Sequence, residues 1–149
     1  MKQSILVTIT FGVICFLACE SAELAHVTEL GIQNFDRLVV ESDHVWVVEF
    51  YSPRCGTCQE MAPIWERVSK GLQKEFLFGS VNIDLEEGMK LAEKLDIFNE
   101  GIPNIQVYGK DDPKTVFSGY EVPSPKKLTT DILAAVKGLS KGRDGKYIT

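Results

Sequence analysis

Cysteine and histidine are scarce in this 149-residue chain, four of the first and two of the second. Their positions exclude most of what such residues build. A structural zinc site needs four ligands, commonly two cysteine pairs or a Cys/His set. Here Cys15 and Cys19 fall in an N-terminal apolar stretch, and His26 and His44 stand apart. Charge of one sign is also modest: the net charge is −5 and the basic residues are scattered, which argues against a nucleic-acid surface or a polybasic membrane patch. The apolar run Ile5 to Ala18 is shorter than the roughly 20 residues of a membrane-spanning helix. There is no Asn-x-Ser/Thr sequon, no internal repeat and no low-complexity block. The C-terminal Gly145-Lys146-Tyr147-Ile148-Thr149 is not the tetrapeptide read by retrieval receptors of the endoplasmic reticulum.

What is present matches one compact domain: 44% of the residues are hydrophobic and 25% charged, enough apolar material for a core but not for two. Residues 1–22 read as a secretory leader, with Lys2 for positive charge, an apolar stretch, and small residues around Cys19-Glu20-Ser21-Ala22; the alternative is a signal anchor that stays in place, and the short apolar run favours removal. The body is expected over residues 23–140, followed by a frayed tail at 141–149. Removal of the leader would leave Cys55 and Cys58 as the only thiols, so no structural disulfide is expected and the pair is free to work. The compartment implied is oxidising: the lumen of the endoplasmic reticulum, or outside the cell.

The apolar pattern predicts the order of elements. Asn34 is placed to cap a short helix reaching Ser42, with Phe35, Leu38 and Val39 on one face. Val45 to Tyr51 is almost continuously apolar, as in a strand covered on both faces. From Cys55, Met61, Trp65, Val68 and Leu72 recur at helical spacing, with Pro63 expected to kink the run. Strands follow at 76–84 and 104–108, with a helix at 86–95 between them. Thr115 to Ser118 adds a further strand, and Pro125 opens a last helix bearing Leu128, Ile132, Val136 and Leu139. Parallel strands joined through helices, then an antiparallel hairpin, give a three-layer α/β/α sandwich with a mixed central sheet.

Chemistry concentrates in Cys55-Gly56-Thr57-Cys58, where the buried strand feeds the long helix. A cysteine at a helical first turn faces unpaired N–H groups and the positive end of the helix dipole, both of which favour thiolate, the reactive form. Two intervening residues let the second sulfur reach the first, so disulfide exchange is reversible. Cys55 is therefore expected to be the nucleophile, and Cys58, one turn inward, the thiol that resolves a mixed disulfide. Glu49 is the anomaly of the central strand: a carboxyl between Val48 and Phe50 is costly to bury unless neutral or paired. So placed, it is expected to have a raised pKa and to exchange a proton with Cys58 through water.

The segment Val48-Glu49-Phe50-Tyr51-Ser52-Pro53-Arg54-Cys55-Gly56-Thr57-Cys58 resembles the active-site segment of the thioredoxin superfamily, in its protein disulfide isomerase branch. Pro63, Asn82-Ile83-Asp84 and Gly101-Ile102-Pro103-Asn104-Ile105 continue the resemblance over about residues 24–140. It implies a thioredoxin-like fold and a thiol–disulfide oxidoreductase of the secretory pathway that forms, reduces or isomerises disulfides. Its partners would be cysteine-containing client proteins and a redox partner such as glutathione, an oxidase or a reductase. No cofactor or metal is implied, the domain would be a monomer, and nucleic acid and membrane insertion are not expected. The resemblance also implies a cis Ile102–Pro103 bond beside the thiols, with the Ile102 backbone pairing with extended clients.

Several residues depart from the branch. Arg54 replaces a usual Trp and is expected to favour the Cys55 thiolate. Thr57 replaces a usual His, which implies a reduction potential below that of a typical isomerase domain. Gly56 completes the set of modulating positions. Asn82 and Tyr120 replace a Lys and an Arg that handle protons in the branch, and Phe98-Asn99-Glu100 lies in a loop about two residues longer than usual, expected to reshape the client rim. Two other roles fit the same residues: a secreted thioredoxin-like reductant, or a peptide-binding chaperone module with weak redox activity.

Overall fold

The structure, a computed structural model, describes residues 26–109 and 113–149. The leader expected over residues 1–22 lies outside them. Five strands form one sheet: β1 (Val27–Glu29), β2 (Trp46–Tyr51), β3 (Leu77–Asn82), β4 (Asn104–Tyr108) and β5 (Lys114–Ser118). Their order is β1-β3-β2-β4-β5, with β1, β3 and β2 parallel and β4 and β5 antiparallel to their neighbours. This is the mixed sheet expected, with β2 at its centre. Among the described residues there are four helices, α1 (Gly56–Leu72), α2 (Glu86–Lys94) and α3 (Ile97–Glu100) between strands and α4 (Pro125–Ala135) after the last, and Asp36–Val40 forms a π-helical turn.

The apolar run of β2 feeds two cores because successive side chains on a strand point to opposite faces. Val45 and Val47 pack with Met61, Trp65, Leu128 and Ile132 beneath α1 and α4. Trp46, Val48 and Phe50 pack with Phe35, Leu91 and Ile97 on the other face. Helix α1 runs through Pro63 without interruption. At Gly88 a Cβ would fall 2.1 Å from the carbonyl oxygen of Asn82, so glycine is what lets α2 close down on the end of β3.

Three expectations need correction. Asn34 does not cap a helix: its Oδ1 accepts the Gly31 N–H at 2.9 Å and its Nδ2 donates to the Glu29 carbonyl, while the π-helical turn starts two residues later from Phe35. An Asn side chain bonding nearby backbone outcompetes the cap here. Strand β1 and helix α3 are additions. The third correction concerns residues 141–149, which do not fray. Tyr147 stacks on Phe76 with centroids 5.0 Å apart, its N–H donates to the Glu75 carbonyl at 2.8 Å, and its carbonyl accepts the Val45 N–H at 3.0 Å. Lys141 Nζ lies 4.8 Å above the same ring and 2.6 Å from Glu75 Oε2. The segment thus closes the N-terminal end of β2, and Tyr147→Ala is expected to destabilise the fold by about 2 kcal/mol. A urea midpoint equal to wild type would contradict that role for the stack.

Candidate active site

Strand β2 ends at Tyr51, and a turn over Ser52, Pro53 and Arg54 delivers Cys55 to the N-cap of α1. The turn is closed by main-chain bonding: the Cys55 N–H donates to the Ser52 carbonyl at 3.1 Å. Cys55 has extended backbone angles, and its Sγ accepts the Cys58 N–H at 3.2 Å. A sulfur therefore does what a Ser or Asp oxygen does at many helix starts. Cys55 is half-buried, whereas Cys58 is 4% exposed, and both are free thiols. The two sulfurs thus differ sharply in environment. Burial, then the hydrogen bond with the Cys55 sulfur, push the Cys58 thiol up to about 12, against a backbone contact from Ser52. The negative charges of Cys55 and Glu49 add to the rise.

Glu49 points to the α1 face of β2 and is 5% exposed. Its register partners are Ser80 on β3 and Ile105 on β4. Burial raises its carboxyl to about 8, opposed in part by the Ser80 hydroxyl, which also accepts the Trp65 Nε1–H at 3.1 Å. The buried carboxyl and buried thiol are close enough for Glu49 to raise Cys58 electrostatically.

The Ile102–Pro103 bond is cis. Because Phe50 pairs with Asn104, the register puts Pro103 beside the end of β2, where the turn to Cys55 begins. Pro103 is buried and its carbonyl accepts the Gly119 N–H at 3.4 Å. Among the described residues the Ile102 backbone has no main-chain partner.

Residues 26–132 match the family model described as Thioredoxin. The chain belongs to the thioredoxin family. Among curated relatives, Protein disulfide-isomerase 2-3 of Arabidopsis thaliana is 43% identical over 83 residues, 56% of this chain and 18% of that protein. Protein disulfide-isomerase A6 of Mus musculus is 33% identical over 127 residues, 81% of this chain and 27% of that protein. The chain therefore spans less than a third of the length of either relative. Among solved structures, the J-Trx1 fragment of ERdj5 aligns with a TM-score of 0.65 at 23% identity, covering 76% of this chain and 51% of that one. The Trx4 domain of ERdj5 aligns at 0.63 and 21%, covering 76% and 98%. At these identities the likeness is one of fold.

Against this thioredoxin frame the departures take physical form. Arg54 was expected to lend its charge to Cys55; instead its guanidinium is held by Asp84, with Nε to Oδ2 and Nη2 to Oδ1 both at 2.9 Å. Thr57 is half-buried and Gly56 exposed, and a Cβ at Gly56 would meet nothing within 4 Å, so glycine is not required there for space. The segment expected to be a lengthened loop forms α3, leaving Phe98 45% exposed and Ile97 in the core. Sequence reasoning missed the network behind it. Glu100 Oε2 accepts Asn104 Nδ2 at 2.9 Å and Thr115 Oγ1 at 2.8 Å, and the Ser118 hydroxyl donates to the Glu100 carbonyl. These bonds tie the segment before Pro103 to β4 and β5. Among the described residues no group of three or more His, Cys, Asp or Glu could hold a metal ion, and no helix is long and apolar enough to cross a membrane.

Proposed function

We propose that this domain is a thiol–disulfide oxidoreductase acting on cysteines of client proteins, with Cys55 as nucleophile and Cys58 as resolving thiol. The observation that carries the reading is the asymmetric dithiol: an accessible sulfur at the N-cap of α1, accepting an N–H, with a buried partner three residues on. In the reducing direction the Cys55 thiolate attacks a client disulfide, forming a mixed disulfide and releasing one client thiolate. Cys58 then loses its proton and attacks Cys55 Sγ, which frees the second client thiolate and leaves a Cys55–Cys58 disulfide. Two electrons pass from the domain to the client; run backward, the same steps oxidise it.

Cys58 is a poor nucleophile while protonated, and its raised pKa makes deprotonation the step that needs help. Glu49 is the group placed to accept that proton through water, in its ionised form, which grows as pH approaches 8. The unpartnered Ile102 backbone beside cis-Pro103 gives an extended client segment a place to pair by strand addition, without reading its side chains. With Thr57 in place of an imidazole, the potential lies below the roughly −180 mV of the isomerase itself. Residues 1–22, as a removable leader, would deliver the domain to the secretory pathway, and glutathione or a partner enzyme would recycle the pair.

The direct test is reduction of insulin by dithiothreitol. The wild-type domain is expected to accelerate it severalfold over buffer, and alkylation of Cys55 to return the rate to background. A wild-type rate equal to buffer would overturn the proposal in favour of a binding module.

A further inference from the structure

Arg54 immediately precedes the nucleophile, yet its cation is engaged by a carboxylate from another part of the chain. Asp84 lies just beyond β3, where the Asn82 Oδ1 accepts its N–H at 3.0 Å and so fixes its backbone. Its carboxylate receives the two-pronged guanidinium of Arg54 and, on Oδ2, the Ser52 hydroxyl at 3.0 Å. The Ser52 oxygen in turn accepts the Arg54 N–H at 3.1 Å, and the Ser52 carbonyl accepts the Cys55 N–H. One carboxylate thus braces the turn that carries Cys55 and neutralises the only cation within it.

Geometry makes this pairing specific. A two-pronged guanidinium–carboxylate contact fixes both orientation and charge, unlike a single-point lysine contact. The Asp84 side chain is 20% exposed against 82% for Arg54, so the carboxylate is the anchored member and the arginine folds onto it. Consistent with that, the Arg54 hydrogen bond holds the Asp84 carboxyl below its ordinary range.

Resting on the dithiol reading above, we propose that Asp84 is a positioning residue that sets the redox poise of the Cys55–Cys58 pair by balancing the charge of Arg54. In the wild type the pair is neutral towards Cys55. A lone cation there favours the thiolate and hence the dithiol state; a lone carboxylate favours the disulfide.

The experiment is equilibration with glutathione, in which the domain disulfide plus two glutathione thiols gives the domain dithiol plus glutathione disulfide. Asp84→Asn keeps an acceptor for Ser52 but frees the cation, and is expected to shift this equilibrium toward dithiol by roughly three- to tenfold. By the two-electron relation, that is about 15–30 mV more oxidising. Arg54→Met is expected to shift it by a similar factor in the opposite direction, and the double variant to return within twofold of wild type. Arg54→Lys, which keeps the charge, should also stay within twofold. If Asp84 only braces the turn, both single variants loosen the same structure and move the equilibrium in the same direction. Shifts of the same sign, or none, overturn the inference while leaving the dithiol reading intact. A wild-type domain that forms no Cys55–Cys58 disulfide in any glutathione buffer overturns both.

Discussion

A Cys58→Ser domain is expected to accumulate client proteins bound covalently through Cys55, while a Cys55→Ser domain accumulates none. In the first variant the accessible sulfur at the helix start is intact, so attack on a client disulfide proceeds. The mixed disulfide then persists, because the serine hydroxyl is no substitute for a thiolate and no other described cysteine is present. In the second variant the remaining thiol is still buried, and burial, the largest cause of its raised pKa, keeps it protonated at neutral pH and shielded from clients. Turnover falls to background in both. Non-reducing electrophoresis after rapid acid quench separates them, since only the first shows adducts that collapse on reduction. Equal trapping by the two variants would mean that burial does not divide the roles as proposed.

Glu49→Gln is expected to slow release of the mixed disulfide by roughly 10²- to 10⁴-fold, the usual range for a positioned proton acceptor, while making the fold more stable at alkaline pH. Both effects come from the same burial. The carboxyl sits at about 8 in the fold against 4.5 as its ordinary value, so the folded state holds its proton more tightly than the unfolded chain. A group of this kind contributes its full stability below 4.5 and loses it as pH rises through 8. At pH 9 the wild type carries a buried carboxylate costing a few kcal/mol; the glutamine, neutral throughout, does not. Urea melts at pH 5, 7 and 9 should show a gap between variant and wild type that widens with pH. Stopped-flow release should rise through pH 8 in the wild type and lose that dependence in the variant. A gap constant across this range would place Glu49 in a wetter setting than its position on β2 indicates.

Much of the fold was legible because its central elements are long and internally consistent. An apolar run broken only by Glu49, Val45–Tyr51, is compatible with a strand covered on both faces, and Met61, Trp65, Val68 and Leu72 can share a face only on a helix. Strand β1 was hidden because three residues, two of them exposed, carry no period; it exists only through pairing with Phe78 to Ser80. Helix α3 is one turn long and buries only Ile97, following Asp96 in a left-handed conformation. The C-terminal segment reads as polar, and what orders it is a single aromatic stack and a few bridges to distant backbone.

The closeness of Cys55 and Cys58 at a helix start was legible from their spacing and their place after the buried strand, and the burial of Glu49 from the oddity of a charge inside an apolar run. The Asp84 partner of Arg54 was hidden for a different reason. It lies thirty residues away on another strand end, and a local reading assigns a charge to whatever is nearest in sequence. Glu100 was hidden in the same way, since its ties to Asn104 and Thr115 depend on a hairpin whose register includes an irregularity between Ile105 and Gln106.

The packing of Tyr147 and Thr149 against Val45 and Asp43 has a practical corollary for handling this molecule. These contacts lie at the start of β2, whereas the thiols follow its far end, about six residues or roughly 20 Å along the strand. A bead, dye or surface coupled through Lys146 would therefore grip the domain at one pole and leave the reactive sulfur facing outward at the other.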